Sequence, residues 1–173
     1  MALKEELSLK KDFASPAHEA LLNIYYTASI MKKRADDFFG QFGLTDVQFN
    51  MLNLLYYESG STSSPRGGKA HSTSSGQEGG LSQAQISDMM LVNRANITSL
   101  VDRMEKAELV TRNAHANDRR YNIIKLTSKG KNLYTKVEPH YLAKVQEAMS
   151  PLAAAELQKL TGILEKVRRA IGV

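Results

Sequence analysis

Asn93, Arg94, Ala95, Asn96, Thr98, Ser99 and Arg103 fall within eleven consecutive residues, interleaved with Ile97, Leu100, Val101 and Met104. The apolar positions recur at steps of three and four, so a helix would turn them to one face and leave the others on an outward arc. Short hydrogen-bonding side chains and arginines are the groups that read base edges and grip phosphates in a major groove. An ordinary exposed helix face carries more Glu and Lys than this arc does. Beyond this stretch, at 114–120, the polar turn AHANDRR bears Arg119 and Arg120. An arginine at such a tip can enter the minor groove, where narrow A·T-rich stretches concentrate negative potential. Asp118, two residues before Arg120, can orient that guanidinium through a charge-assisted hydrogen bond.

Charge supports the same chemistry. Between Asn93 and Lys131 stand nine Lys or Arg (Arg94, Arg103, Lys106, Arg112, Arg119, Arg120, Lys125, Lys129, Lys131) against four acids (Asp102, Glu105, Glu108, Asp118). The whole net charge of +5 therefore sits in that stretch, and the remainder of the chain is neutral. Concentrated positive potential is what a polyanion partner requires.

Other chemistries find little support. Cysteine is absent, which removes disulfides, thiolate metal sites and thiol redox switches together. His18, His71, His115 and His140 lie on different elements without metal-ligand spacing, and Glu138 and His140, two apart on a helix, point apart. GGKA at 67–70 lacks both the earlier glycine and the Ser or Thr that a phosphate loop needs. No nucleophile elbow or dinucleotide glycine pattern occurs. Neither an enzyme nor a cofactor or metal is expected. With 42% hydrophobic residues the chain can bury a real core. It has no run of about 18 apolar residues and no apolar leader in MALKEELSLKKD, so a cytoplasmic protein with no membrane contact is expected.

The elements that must position these residues are mostly announced by their caps. Ser15-Pro16 opens a long helix with Ala17, Ala20, Leu21, Ile24, Tyr25, Ala28, Met31, Ala35 and Phe38 as its stripe, ending near Gly40 and Gly43. Thr45 with Gln48, and Ser82 with Gln85, form capping boxes for a second and a third helix. Between those two helices, residues 59–80 contain fifteen Ser, Thr or Gly in 22 positions, a composition that suits a surface loop, within which Arg66, Lys69 and His71 can reach DNA. The third helix breaks at Leu91-Val92 and another begins at Asn93, making a helix-turn-helix. Leu109–Asn113 and Tyr121–Thr127 suit strands, and a hairpin directly after a recognition helix is a wing. Lys131 to Met149 reads as a long helix, and Ser150-Pro151 restarts the chain as a last one. Within one chain the first and last helices have little to bury against.

LVNRANITSLVDRMEKAELVTR followed by NDRRYNIIKLTSKG resembles the winged helix-turn-helix of the MarR family of bacterial transcriptional regulators, whose wing carries an Asp-x-Arg pair and a strand ending Leu-Thr-x-x-Gly. Asp118, Arg120, Leu126, Thr127 and Gly130 occupy those positions. The resemblance implies a mainly α fold (α+β), a winged helix-turn-helix with a two-stranded wing on an intertwined helical dimerisation base. It implies an N-terminal dimerisation helix over 1–44, a DNA-binding lobe over 45–130 with 59–80 as an inserted loop, and C-terminal dimerisation helices over 131–173. The partners implied are double-stranded DNA, a second copy of the chain, and a small aromatic or phenolic effector near Tyr25, Tyr26, Lys32, Arg34, Gln48 and Met51. The expected function is that of a sequence-specific transcriptional regulator, a repressor acting as a homodimer on palindromic operators. The alternative is an architectural DNA-binding protein with neither marked sequence preference nor ligand response. Where the family usually has Gly after the recognition helix this chain has Glu108, so either a left-handed cap there costs roughly 1 kcal/mol or the helix ends differently. Cysteine-sensing branches of the family are excluded.

Overall fold

The computed structural model describes residues 2–59, 80–114 and 122–172. In chain order the elements are α1 (Leu3–Glu6), α2 (Pro16–Gly40), α3 (Asp46–Ser59), β1 (Leu81–Ser82), α4 (Gln83–Met90), α5 (Arg94–Lys106), β2 (Val110–Ala114), β3 (Asn122–Leu126), α6 (Ser128–Met149) and α7 (Ala154–Ala170). The helix starts follow their side-chain caps. Ser15 Oγ accepts the His18 N–H at 3.2 Å. Thr45 Oγ1 accepts from Gln48 N at 3.3 Å, while Gln48 Oε1 accepts from Thr45 N at 2.9 Å. Ser82 and Gln85 repeat the reciprocal pair at 3.2 and 2.9 Å. Asn93 Oδ1 accepts from Asn96 N at 2.9 Å. Each bond satisfies one of the donors that a helix start leaves without an intrahelical partner.

The helix ends are more unusual. After α2, α4 and α5 the chain closes with a paired six-to-one and five-to-two bond around a residue of positive φ. The residue after α2 is Gly43 (φ 69°), which suffers no Cβ penalty. After α4 it is Leu91 (φ 53°), with Val92 N–H on Ser87 O at 3.1 Å. After α5 it is Glu108 (φ 59°), with Leu109 N–H on Met104 O at 2.9 Å and Glu108 N–H on Glu105 O at 2.8 Å. The left-handed cap is therefore kept at Glu108 without glycine. Met104 and Leu109, the positions whose side chains flank such a cap, are both buried.

The β2–β3 hairpin is the expected two-stranded wing. The sheet holds one strand more than expected: β1 adds to the other edge of β3, giving an antiparallel order β1-β3-β2. Leu81 lies opposite Ile124, and Arg112 lies opposite Ile124 from the other side. Two residues carry too little periodicity to announce a strand. Gly80, just before β1, is the reason the pair can close. A Cβ there would stand 2.6 Å from Ile123 Cγ2 and 2.9 Å from Ile124 O.

The chain divides into two units, residues 1–131 and 132–173. In the first, Phe39 stacks on Phe49 with ring centroids 4.3 Å apart, above a core that includes Met51, Leu55, Ile86, Ile97, Met104 and Ile124. Phe39 is the buried aromatic of α2, while Phe38, placed in the expected stripe, is half-buried. Leu21, Ile24, Tyr25, Ile30 and Met31 of α2 stay exposed within the single chain. The first unit closes on Thr127, whose N–H reaches Leu109 O at 3.1 Å and whose hydroxyl donates to Glu108 O at 2.6 Å. The same hydroxyl accepts the Gly130 N–H at 2.9 Å, and Lys129 pairs with Glu108 at 3.0 Å.

In the second unit Tyr134 and Val137 are buried, and α7 has no buried residue. Its Leu160, Ile163 and Val167 are exposed. α7 begins at Ala154 rather than at Pro151, because Glu156 Oε2 accepts the Ala153 N–H at 2.8 Å and so defines the helix start. No helix among the described residues is long and apolar enough to cross a membrane.

Candidate nucleic-acid interface

The short α5 presents its two faces as its periodicity requires. Ile97, Leu100, Val101 and Met104 are all buried to 2% exposure or less. Asn93, Arg94, Ala95, Asn96, Thr98, Ser99 and Arg103 are exposed together on the opposite arc. α4 holds this helix through side-chain bonds near its start. Ser87, buried, donates its hydroxyl to Val92 O at 2.5 Å and fixes the turn. The Thr98 hydroxyl lies 3.2 Å from Gln83 Oε1 and 3.1 Å from its own helix at Arg94 O. Thr98 and Asn93 thus have structural partners, Asn93 Oδ1 being engaged in the cap. Arg94, Asn96, Ser99 and Arg103 are exposed and make no side-chain hydrogen bond or ion pair among the described residues.

Electrostatics sharpen the arc. Arg112 on β2 contacts both acids of α5, Asp102 and Glu105, through its two terminal guanidinium nitrogens. Its own backbone N–H donates to Glu105 Oε1 at 3.2 Å. Burial works against the guanidinium charge, but the hydrogen bonds and Coulomb attraction of Asp102 and Glu105 outweigh it and hold the proton more firmly than in a free arginine. Arg112 therefore belongs to the scaffold and not to the outward cations with which the sequence groups it. Lys129 is likewise engaged by Glu108. Among the described residues Arg94, Arg103 and Lys106 have no ion-pair partner.

Arg112 and Gln83 are the residues here that reading the helix pattern alone does not single out. For Arg112 a signal exists: strand alternation puts it on the same face of β2 as Val110, which is buried against the core. For Gln83 none does, since its role depends on how α4 meets α5. Asp118, Arg119 and Arg120, expected at the wing tip, lie outside the described residues, as do Arg66, Lys69 and His71 of the Ser/Gly tract.

The six candidate effector residues do not share one environment. Met51 is fully buried, and Gln48 is occupied by the cap at Thr45. Lys32 lies 3.9 Å from Asp36, whose carboxylate also accepts the Asp46 N–H at 3.3 Å. Arg34 and Tyr25 are exposed and Tyr26 is half-buried.

The family model for the MarR family matches residues 76–121, which run from the end of the tract through α4, α5 and β2. Over 125 residues the chain is 30% identical to the HTH-type transcriptional regulator MhqR of Bacillus subtilis (strain 168), covering 72% of this chain and 72% of that protein. Its fold is similar to AbsC, a MarR family transcriptional regulator from Streptomyces coelicolor, with a TM-score of 0.75 at 19% identity over 93% of this chain and 98% of that one. It is also similar to a mutant MarR from E.coli complexed with operator DNA, with a TM-score of 0.73 at 18% identity over 91% and 99% of the two chains. The capped recognition helix, the sheet beside it and the extended identity to a curated regulator place this chain in the MarR family, as a winged helix-turn-helix transcriptional regulator and not an enzyme.

Proposed function

We propose that the protein is a homodimeric repressor that reads a roughly palindromic operator with α5 in the major groove of each half-site and with Arg119 and Arg120 at the wing. The observation that carries this reading is the exposed arc of α5: Arg94, Asn96, Ser99 and Arg103 are exposed without side-chain partners among the described residues, while the acids of the same helix are occupied by Arg112. Asn and Arg are the side chains that form paired bonds to adenine and guanine edges. Dimerisation is supported by the apolar side chains that one chain leaves in water. Leu21, Ile24 and Met31 on α2 and Leu160, Ile163 and Val167 on α7 are each about two-fifths or more exposed. A two-fold mate would bury them and set two copies of α5 about one helical turn, ~10 bp, apart. By family resemblance, the same dimer is released from DNA by a small aromatic or phenolic effector.

Selection of bound duplexes from a random pool, with sedimentation of the free and bound protein, tests the proposal. The expected outcome is an inverted repeat bound by one dimer, and release by at least one member of an aromatic acid panel. Binding without sequence enrichment and without release would favour the architectural reading instead. A folded monomer at micromolar concentration would remove the dimer.

A further inference from the structure

Asp102 lies one turn beyond Thr98 and Ser99 on the exposed arc of α5, and Glu105 follows three residues later. A helix entering a groove lined by phosphates would meet repulsion from two bare carboxylates at that position. Both carboxylates meet one cation: the terminal guanidinium nitrogens of Arg112 bond Asp102 Oδ1 and Glu105 Oε2, and the Arg112 backbone N–H bonds Glu105 Oε1. The Arg112 side chain is 22% exposed, much less than Asp102 at 59%. It sits behind the acids, not in front of them. Arg103 and Lys106, next to the same acids on α5, have no ion-pair partner among the described residues. The arrangement is selective: the negative groups of the helix are neutralised from within the fold and its positive groups are left outward.

We propose that Arg112 is a positioning residue of the DNA-reading surface, which holds the two carboxylates of the recognition helix and neutralises their charge from behind, so that the phosphates meet less negative potential there. The inference rests on the reading of α5 as the DNA-contacting helix. Arg112 itself touches no base. Its removal should cost affinity on any duplex alike, through charge, and the loss should fade as salt screens it.

The test is a set of salt-titrated affinities for wild type, Arg112→Met, Asp102→Asn/Glu105→Gln, and the triple variant, on a selected duplex and on a scrambled one. Arg112→Met should bind both duplexes about tenfold more weakly at ~0.1 M salt and within about threefold of wild type at ~0.5 M. The triple variant, which has no clamp but also no bare acids, should return to within about threefold of wild type at every salt concentration. Asp102→Asn/Glu105→Gln should bind at least as tightly as wild type, which also decides the matter if Arg112→Met loses its helical circular dichroism. Wild-type affinity in Arg112→Met, a triple variant as weak as Arg112→Met, or a weakened Asp102→Asn/Glu105→Gln would each overturn the inference while leaving the DNA-binding reading intact. A wild-type protein that binds neither duplex would instead overturn the reading of α5, and this inference with it.

Discussion

Gly130→Ala should destabilise the protein by about 2 kcal/mol, although it replaces a helical glycine by the residue helices favour most. Gly130 stands in the first turn of α6, and a Cβ there would lie 2.1 Å from Leu109 O and 3.0 Å from Leu109 C. Both are backbone atoms of the turn that ends α5, so no side-chain rotation relieves the clash. Either α6 or that turn must move by about 1 Å to restore van der Waals separation. Such overpacking costs about 1 to 3 kcal/mol, and the displaced Thr127 N–H on Leu109 O, now 3.1 Å, adds about 1 more. The gain in helix propensity returns about 1 kcal/mol. For a chain of this size the melting temperature should fall by about 4 to 8 °C at fixed protein concentration. Gly40→Ala is the control: no atom lies within 4 Å of its added Cβ and its φ is not positive, so it should be neutral or stabilising by up to about 1 kcal/mol. Thermal and urea unfolding of the two variants beside wild type provide the assay. A Gly130→Ala protein as stable as Gly40→Ala would refute the close approach of α6 to the Leu109 carbonyl.

Glu108→Gly should stabilise by up to about 1 kcal/mol, because it relieves a left-handed residue. The Lys129 pair it removes is largely exposed and contributes only a fraction of that; urea midpoints that fall with an unchanged slope would contradict this. Replacing residues 60–79 with a four-residue turn should leave operator affinity within a few-fold, by the composition of the tract alone. Gly80 must be retained, and Gly80→Val should lower the urea midpoint by disturbing the β1–β3 pair, an effect whose absence would show that the 2.6 Å approach to Ile123 does not exist.

Local chemistry was the legible part of this fold. Four helix starts follow from Ser15, Thr45, Ser82 and Asn93, because each cap is a bond between residues three apart. The inward face of α5 follows from spacing alone. What escaped depends on partners distant in sequence. β1 exists because β3 offers it a free edge, and Gly80 because Ile123 and Ile124 crowd that edge. The left-handed cap at Leu91 carries no glycine to mark it, whereas the one at Glu108 stands where the family resemblance puts a glycine. In α2 the adjacent Phe38 and Phe39 could each fill the stripe, and stacking on Phe49 selects Phe39. On the candidate interface the outward residues were readable from periodicity, whereas the clamp of Arg112 on Asp102 and Glu105 required the strand and the helix to be seen together.

The central claim is that α5 reads bases, and paired affinities of Asn96→Ala and Arg94→Ala test it most directly. Each should weaken a selected operator by about 1 to 3 kcal/mol while changing affinity for scrambled DNA by under about 0.5 kcal/mol, because base-edge bonds carry the sequence information. Equal losses on the two duplexes, or no loss on either, would contradict the claim and remove Arg94 and Asn96 from base readout.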